Sequence, residues 1–420
     1  MDNTGTEKQP EPELLKIVGS ILTYGEICDH CLGRFFGKRS FGLPNDARGR
    51  SLRIAYLISE NLPFKEPEGM CWVCNNAFDT IGRWADRAVS ALEGIEFSTF
   101  LVGTRVPPLI AESEEMVWSD LGLSDPEPLK SEMNREVGKA IGMKSGKNAD
   151  LVNPEIVIIL DLAGDNVEIQ VNPVFVSGRY MKYERGIPQT HWHCRACHGA
   201  GCERCNFTGK MYQDSVEELI GRPAAGALGG ENAVLHGAGR EDIDARMLGT
   251  GRPFVLEIVA PHKRSMDLDE LETLINTSAE GRVSVKLSRW CGHEDVETIK
   301  TNKAHKKYRI LVGVDGPVPL EKLCLAISTL SGAIIDQRTP ERVAHRRADK
   351  IRKRRVLDIG YIGEEDGRFL VEVTGEAGLY IKELISGDNG RTHPSLTEVL
   401  GMPARVERLD VIQVEGAEQE

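Results

Sequence analysis

Two kinds of chemistry-bearing residues stand out in the 420-residue sequence: paired cysteines and a short acidic segment between glycines. Eight of the ten cysteines form pairs with the spacing Cys-x-x-Cys, namely Cys28/Cys31, Cys71/Cys74, Cys194/Cys197 and Cys202/Cys205. A two-residue spacer lets both thiolates of a tight turn reach one metal ion at about 2.3 Å. In a long chain without a secretion signal, such pairs favour metal binding over disulfides.

We therefore expect a structural zinc site in the first of two cysteine clusters, because four thiolates leave no open position for a reacting water. A second zinc site is one interpretation of the other cluster. The N-terminal cysteine cluster joins two pairs across a 39-residue spacer and consists of Cys28, Cys31, Cys71 and Cys74. The central cysteine cluster is denser and consists of Cys194, Cys197, Cys202 and Cys205. Its glycines Gly199 and Gly201 permit sharp turns. Reduced thiols on a mobile loop are the alternative interpretation of the central cluster.

The acidic segment places Asp242 and Asp244 between Arg240 and Arg246, with glycines on both sides. Those glycines predict a tight loop whose backbone another group approaches closely. A buried carboxylate needs a paired cation to stay ionised, and either arginine could supply one. A surface loop held by salt bridges is the other interpretation. Residues two apart share a face of an extended segment, so local geometry does not choose between the two aspartates.

Longer motifs run through most of the chain. They are CDHCLGRFFG, PVFVSGRY, SVEELIGRP, GAGREDIDARMLGTGRPFVLEI, QRTPERVAHRRADKIRKRR and GLYIKELISGDNGRTHPSL. Together they resemble the archaeal and eukaryotic tRNA pseudouridine synthases that act on uridines 54 and 55 of the T loop. Gly239-Arg240-Glu241-Asp242 is similar to the Gly-Arg-x-Asp core of pseudouridine synthases in general.

This resemblance implies an isomerase that needs no cofactor. In that reaction the glycosidic bond of a uridine breaks, the base rotates, and its C5 is joined to C1′. The resemblance implies that Asp242 is the catalytic carboxylate. The sequence leaves open whether this group attacks C1′ or removes the C2′ proton, and whether position 54, position 55 or both are modified.

The resemblance also implies a set of substrate contacts. Tyr308 matches the family's active-site tyrosine, and its aromatic face suits stacking on a uracil, worth ~1–3 kcal/mol. Tyr380 and Lys382, two residues apart, are expected on one face of a strand. Lys382 matches an arginine that pairs with the catalytic carboxylate in many pseudouridine synthases, although a lysine cannot form a bidentate clamp. Leu409 would lie beneath the target base, and Arg240 belongs to the catalytic motif.

The net charge of −12 argues against a nucleic-acid partner, but one segment is strongly basic. Arg338–Arg355 carries nine lysines and arginines and two acids, and Lys303, Lys306 and Lys307 extend this set. We expect it to bind phosphates of the tRNA T loop and elbow. The residues chosen for this role are Arg342, Arg346, Arg347, Arg352, Lys353, Arg354 and Arg355. A monomer that binds neither DNA nor a membrane is expected.

The elements that would position these residues indicate an α+β fold. Residues 1–12 are predicted to be disordered. Residues 13–185 are predicted to form an accessory RNA-binding domain that contains, by resemblance, a THUMP-like part at about 75–183. Within it, Val167–Val176 is predicted to be one strand because polar and apolar residues alternate. Residues 186–420 are predicted to form the catalytic domain, a mixed or largely antiparallel sheet with flanking helices.

Composition excludes several other classes of protein. No apolar run approaches the ~20 residues that span a bilayer, and the polar N-terminal residues resemble no export or transit signal, so cytoplasm is expected. A catalytically silent zinc- and RNA-binding module would explain the cysteines and the basic segment alone. Another RNA-modifying enzyme with a THUMP-like domain is disfavoured, because neither Gly-x-Gly-x-x-Gly nor Gly-x4-Gly-Lys-Ser/Thr occurs.

Overall fold

The computed structural model describes residues 14–124, 126–344 and 347–415. The predicted disordered tail lies outside these residues. The chain divides into two compact units, Met1–Asn172 and Pro173–Glu420. The division falls thirteen residues before the predicted boundary. The reason is that Val174–Lys182 pairs with two strands of the second unit.

The first unit combines helices with a four-stranded sheet. Its helices are α1 (Leu14–Thr23), α2 (Asp29–Arg34), α3 (Asn45–Ser59), α4 (Ile81–Ala91), α5 (Pro108–Asp120) and α6 (Leu129–Ser145). Its strands are β1 (Thr99–Arg105), β2 (Asn148–Ala149), β3 (Ile156–Asp161) and β4 (Asn166–Val171). The sheet order is β2-β1-β3-β4, with β4 antiparallel to β3 and the other pairs parallel.

The sequence pattern explains how this unit packs. In β3 alternate residues are buried, as expected for a strand that covers a core with one face. In α6, Met133, Val137 and Ile141 are spaced by four residues and all are fully buried. The predicted strand Val167–Val176 is wrong as a single element. It is interrupted at Asn172-Pro173, because proline lacks the N–H that a sheet ladder needs.

The second unit is built on a ten-stranded sheet. Its strands are β5 (Val174–Lys182), β6 (Asn232–Gly237), β7 (Arg246–Val259), β8 (Val283–Cys291), β9 (Lys306–Val314), β10 (Ile334–Arg338), β11 (Ile351–Glu365), β12 (Arg368–Gly375), β13 (Thr392–His393) and β14 (Ala404–Val414). Its helices are α7 (Val216–Leu228), α8 (Leu268–Ser278), α9 (His293–Thr301), α10 (Leu320–Leu330), α11 (Ile381–Ser386) and α12 (Leu396–Leu400).

The strand order is β13-β10-β11-β12-β9-β14-β7-β5-β8, and β6 pairs with β7. Strands β14 and β7 are parallel, with Asp410 opposite Arg246, whereas the other pairs are antiparallel. This arrangement confirms the predicted α+β class and mixed sheet. Two apolar cores pack against the sheet, and Tyr308 in the central strand β9 contacts both.

The prediction that Tyr380 and Lys382 lie on one strand is wrong. Tyr380 occupies the N-cap position of α11, without a capping side-chain hydrogen bond, and Lys382 lies in the first turn of this helix. The side chain of the fully buried Gln337 accepts a hydrogen bond from Tyr380 N at 2.8 Å and donates one to Tyr380 O at 2.9 Å. A six-residue helix is too short to display a helical period in the sequence.

None of the helices in the described ranges is both long enough and apolar enough to cross a membrane.

Candidate active site

The predicted catalytic motif forms the connection from β6 to β7, residues 238–245, which we call the Asp242 loop. Its backbone is tied to the sheet where Ala238 N donates to Pro253 O at 2.9 Å. Ala245 N donates to Asp242 O at 3.0 Å and closes a turn. Gly239 has a φ of +78°, and a Cβ there would lie 2.9 Å from Lys306 Nζ. The Lys306 side chain could move away from a Cβ, but other residues rarely adopt this positive φ, so glycine is favoured at this position.

A buried polar network supports the Asp242 loop from below. The Glu241 carboxylate accepts hydrogen bonds from Arg252 Nε at 2.8 Å and from the Tyr180 hydroxyl at 2.9 Å. The Gln189 amide donates to Tyr180 Oη and to Gly239 O, each at 2.9 Å. Burial alone would raise the pKa of Glu241, but the charges of Arg252 and Lys182 hold that pKa below its usual value. The loop is thus anchored by an ionised, fully paired carboxylate.

Lys182 of β5 contacts the backbone of the Asp242 loop. This side chain is fully buried, and its Nζ lies 2.8 Å from Ile187 O. The same atom is 3.3 Å from Asp242 O and 3.3 Å from Ile243 O. Burial lowers the pKa of Lys182, although Glu241 opposes that shift. Three carbonyl oxygens therefore position one ammonium under the loop.

The Asp242 carboxylate points toward two cations. Arg342 Nη1 lies 3.0 Å from Asp242 Oδ1, and Lys382 Nζ lies 3.5 Å from Asp242 Oδ2. Lys382 is nearer to Asp244, at 2.6 Å. Arg342 also donates through Nε to Glu383 Oε1 at 2.7 Å, and Glu383 is buried. The cation closest to Asp242 is thus Arg342, which was predicted to bind phosphates.

The two aspartates that sequence could not separate have different surroundings. The Asp242 side chain is 30% exposed, whereas that of Asp244 is 67% exposed. Lys382 lowers the pKa of Asp244 against the opposing effect of burial. Asp242 therefore faces a partly enclosed space, and Asp244 is an outer partner of Lys382.

Asp242 lines a cavity of about 460 Å³. Its lining includes every residue predicted to contact substrate, namely Asp242, Tyr308, Tyr380, Lys382, Leu409 and Arg240, together with Arg342 and Arg347. Burial raises the pKa of Tyr308 to about 12, so its hydroxyl stays protonated at neutral pH. The Tyr380 hydroxyl accepts a hydrogen bond from Arg347 Nη1 at 2.9 Å. Leu409, 6% exposed, supplies an apolar surface.

Four of the remaining predicted phosphate-binding residues lie on β11, namely Arg352, Lys353, Arg354 and Arg355. The fifth, Arg346, lies outside the described residues. Lys353 and Arg355 are exposed, whereas Arg352 and Arg354 are half-buried. This alternation follows from the two-residue period of a strand, which sends neighbouring side chains to opposite faces. The predicted basic segment is therefore divided between the cavity and two faces of β11.

Several residues of this site were not predicted from the sequence. Glu241, Arg252, Tyr180, Gln189 and Lys182 form the support, and Trp192 lines the cavity. Lys306, predicted to extend the phosphate-binding set, also lines the cavity, and burial lowers its pKa to about 8. The sequence could have placed Lys306 at the site, because it lies two residues before Tyr308 in one strand, and residues two apart in a strand share a face.

Both cysteine clusters have the geometry of a zinc site. Within each cluster the four sulfurs lie within 4.8 Å of one another. In the N-terminal cluster Cys28 Sγ and Cys74 Sγ are 3.7 Å apart, and in the central cluster the closest pairs are 3.7 to 3.9 Å apart. Sulfurs at about 2.3 Å from a tetrahedral zinc are about 3.8 Å apart. The donor sets therefore fit Zn²⁺, which would be structural in both places.

Comparison with known proteins identifies relatives of nearly the whole chain. Family models match residues 175–415, as "Pus10, C-terminal", and residues 84–161, as "Pus10 THUMP domain, archaeal". The tRNA pseudouridine synthase Pus10 of Methanothrix thermoacetophila is 46% identical over 96% of this chain and 95% of the relative. The same enzyme of Halorubrum lacusprofundi is 44% identical over 97% of each chain.

Among solved structures, a Cbf5-Nop10-Gar1 complex is similar with a TM-score of 0.30 and 18% identity, over 47% of this chain and 43% of that one. A similarity at this level identifies no function. The two family models and the full-length relatives, in contrast, cover both units and confirm the resemblance found in the sequence motifs. The chain therefore belongs to the Pus10 family of tRNA pseudouridine synthases.

Proposed function

We propose that this protein isomerises uridine to pseudouridine in the T loop of tRNA, at position 54, 55 or both, with Asp242 as the catalytic carboxylate. The observation that carries the proposal is the position of Asp242, in the lining of the cavity and within 3.5 Å of Arg342 and Lys382. Those cations stabilise the negative charge that the carboxylate needs for either attack at C1′ or proton removal at C2′.

The cavity is suited to a single extruded nucleotide. Extruding a uridine costs a few kcal/mol of stacking, which contacts inside the cavity must offset. Leu409 would support one face of the base, and Tyr308 would stack on it or donate a hydrogen bond from its protonated hydroxyl. As the C1′–N1 bond breaks, Asp242 either bonds to C1′ or takes the C2′ proton, and the electron pair of the broken bond stays on the base. After rotation, C5 bonds to C1′ as the carboxylate leaves or as the proton returns to C2′, N1 gains a proton and C5 loses one.

The surrounding surface would bind the rest of the tRNA. Arg347 at the cavity and the exposed Lys353 and Arg355 on β11 present positive charge to phosphates. Zinc would stabilise the fold and would take no part in the reaction, because no ligand position is left open. We propose that the protein acts as a cytoplasmic monomer that requires no cofactor for catalysis.

The test uses an unmodified tRNA transcript, incubated without cofactor with wild-type protein, Asp242→Asn or Asp244→Asn. Pseudouridines are mapped by carbodiimide treatment and primer extension. We expect stops at T-loop uridines with wild type and with Asp244→Asn, and none with Asp242→Asn. If stops persisted with Asp242→Asn, Asp242 would not be the catalytic carboxylate and another group would have that role. Tight tRNA binding without stops in wild type would instead indicate a catalytically silent zinc- and RNA-binding module.

A further inference from the structure

The central cysteine cluster lies in a closed loop that begins at Trp192 and ends at Met211. Met211 N donates to Trp192 O at 2.9 Å, and Cys194 N donates to Gly209 O at 2.7 Å. A β-bridge between His193 and Lys210 lies between these bonds. The chain therefore leaves and returns beside Trp192, and the base of the loop is fixed relative to that residue.

The interior of this loop has little apolar core to hold it together. Between residues 192 and 211, Cys194 and Gly209 are the buried residues, and Phe207 is 74% exposed. Backbone N–H groups of Gly201 and Gly209 instead point at Cys197 Sγ and Cys205 Sγ, at 3.2 and 3.3 Å. Such donors stabilise thiolates. Folding of the loop is thus expected to depend on metal binding by the four sulfurs.

Trp192 connects this loop to the active site. Its half-buried indole lines the same cavity as Asp242. The guanidinium carbon of Arg240, in the Asp242 loop, lies 5.2 Å from the centre of the indole ring, within the range of a cation–π contact. Tyr212, just after the cysteine loop, meets the indole edge-on with ring centroids 5.8 Å apart. The indole is therefore held between Tyr212, which follows the cysteine loop, and Arg240, which lies in the Asp242 loop.

We propose that the central cysteine cluster serves the substrate site: with zinc bound, it holds Trp192 against Arg240, and the indole stacks on an unpaired nucleobase next to the extruded uridine. The ligand class follows from the chemistry. A tryptophan face accepts any base without reading its hydrogen-bonding edge. The inference rests on the proposed function, because it assigns a further contact to the same substrate. Trp192 is a binding residue, and the four cysteines are positioning residues.

The first arm of the test concerns Trp192. In Trp192→Ala we expect KM for tRNA to rise about tenfold while kcat stays within about twofold, because a stacking contact that holds the substrate equally before and during the reaction affects binding alone. Trp192→Phe should restore most of the affinity. Phe207→Ala removes an exposed aromatic from the same loop outside the cavity and serves as the matched control, with KM unchanged.

The second arm concerns the cysteines. Cys197→Ser/Cys205→Ser should lose one zinc per chain by elemental analysis and raise KM to the same extent as Trp192→Ala. Combining the cysteine changes with Trp192→Ala should raise KM no further, because both act on one contact. Trp192→Ala itself should keep its full zinc content, since the indole is not a ligand.

Two results would overturn the inference. One is an unchanged KM in Trp192→Ala. The other is loss of zinc from the cysteine variant with wild-type KM. Failure of the proposed function is seen separately, as absence of pseudouridine with wild-type protein. In that event, the Kd of a T-stem-loop RNA measured by fluorescence anisotropy still decides the binding role: an unchanged Kd in Trp192→Ala contradicts it, and a tenfold weaker one supports it.

Discussion

At the residue scale, the most consequential contact is the one between Arg342 and Asp242, whose positions are 100 residues apart in the sequence. Arg342 belongs to the basic segment, so composition predicted a phosphate ligand. In the structure its guanidinium joins Asp242 to the buried Glu383. Lys382, the residue expected to pair with Asp242, lies closer to Asp244. The basic segment directed attention to Arg342 and the family resemblance to Lys382, but neither could tell which carboxylate each side chain would contact in three dimensions.

This contact predicts the behaviour of Arg342→Met. Removing the guanidinium leaves Asp242 and Glu383 without their closest cation, so kcat should fall about 100-fold, as when one electrostatic stabiliser of a transition state is removed. KM should change little. Arg355→Met removes an equal charge from an exposed position of β11 and should affect KM instead. Single-turnover kinetics separate the two effects. If Arg342→Met changed KM alone, the result would contradict this role and support the original prediction that Arg342 binds a phosphate.

Lys306 predicts a pH dependence of stability. Burial beside Arg252 lowers its pKa to about 8, below the ~10.4 of an unfolded lysine. The folded protein therefore binds fewer protons than the unfolded chain between these values, and stability should rise with pH across that window. Below pH 8 the full penalty of burying the charge is present. Lys306→Met should remove this rise, which urea unfolding at pH 7, 8.5 and 10 would measure. Parallel curves for both proteins would contradict the assignment.

At the scale of elements, the long and strongly patterned segments were predictable and the short ones were not. The apolar run of β3 and the four-residue spacing of Met133, Val137 and Ile141 in α6 are visible in the sequence, because each pattern extends over most of its element. Tyr380 and Lys382 were misassigned because α11 has six residues and is positioned by Gln337, 43 residues upstream of Tyr380. The buried network that holds the Asp242 loop was also not predictable. Its residues come from β5, β7 and the segment before α7, and they meet only because of the order of strands in the sheet.

Strand β11 predicts how binding depends on salt. Its alternation leaves Lys353 and Arg355 exposed, so they are the residues of that strand best placed to meet phosphates. Lys353→Gln/Arg355→Gln should weaken tRNA binding and reduce the slope of log K against log salt by about 1.4 to 1.8, the value for two phosphate contacts. Lys322→Gln, which removes a charge from an exposed position of α10, should leave the slope unchanged. An unaltered slope in the double variant would exclude β11 from the RNA interface.

At the scale of the whole molecule, each unit carries one cysteine cluster, but the clusters differ in their surroundings. In the N-terminal cluster Cys31, Cys71 and Cys74 are buried within the main apolar core of the first unit. The central cluster lies in the exposed loop between Trp192 and Met211. Spacing alone predicted both clusters, since Cys-x-x-Cys is a local pattern, whereas burial depends on which distant helices cover it.

This difference predicts two responses to metal loss. Because the free energy of metal binding is also folding free energy, a site inside a core should stabilise the whole unit around it, and a site in a loop should stabilise the loop alone. Wild-type protein should contain two zinc ions per chain. Cys31→Ser/Cys74→Ser should lose one zinc and the calorimetric unfolding transition of the first unit. Cys197→Ser/Cys205→Ser should also lose one zinc but keep the main transitions of both units near their wild-type temperatures. Equal thermal destabilisation by the two pairs would show that the central loop, despite its exposure, supports the fold of the second unit.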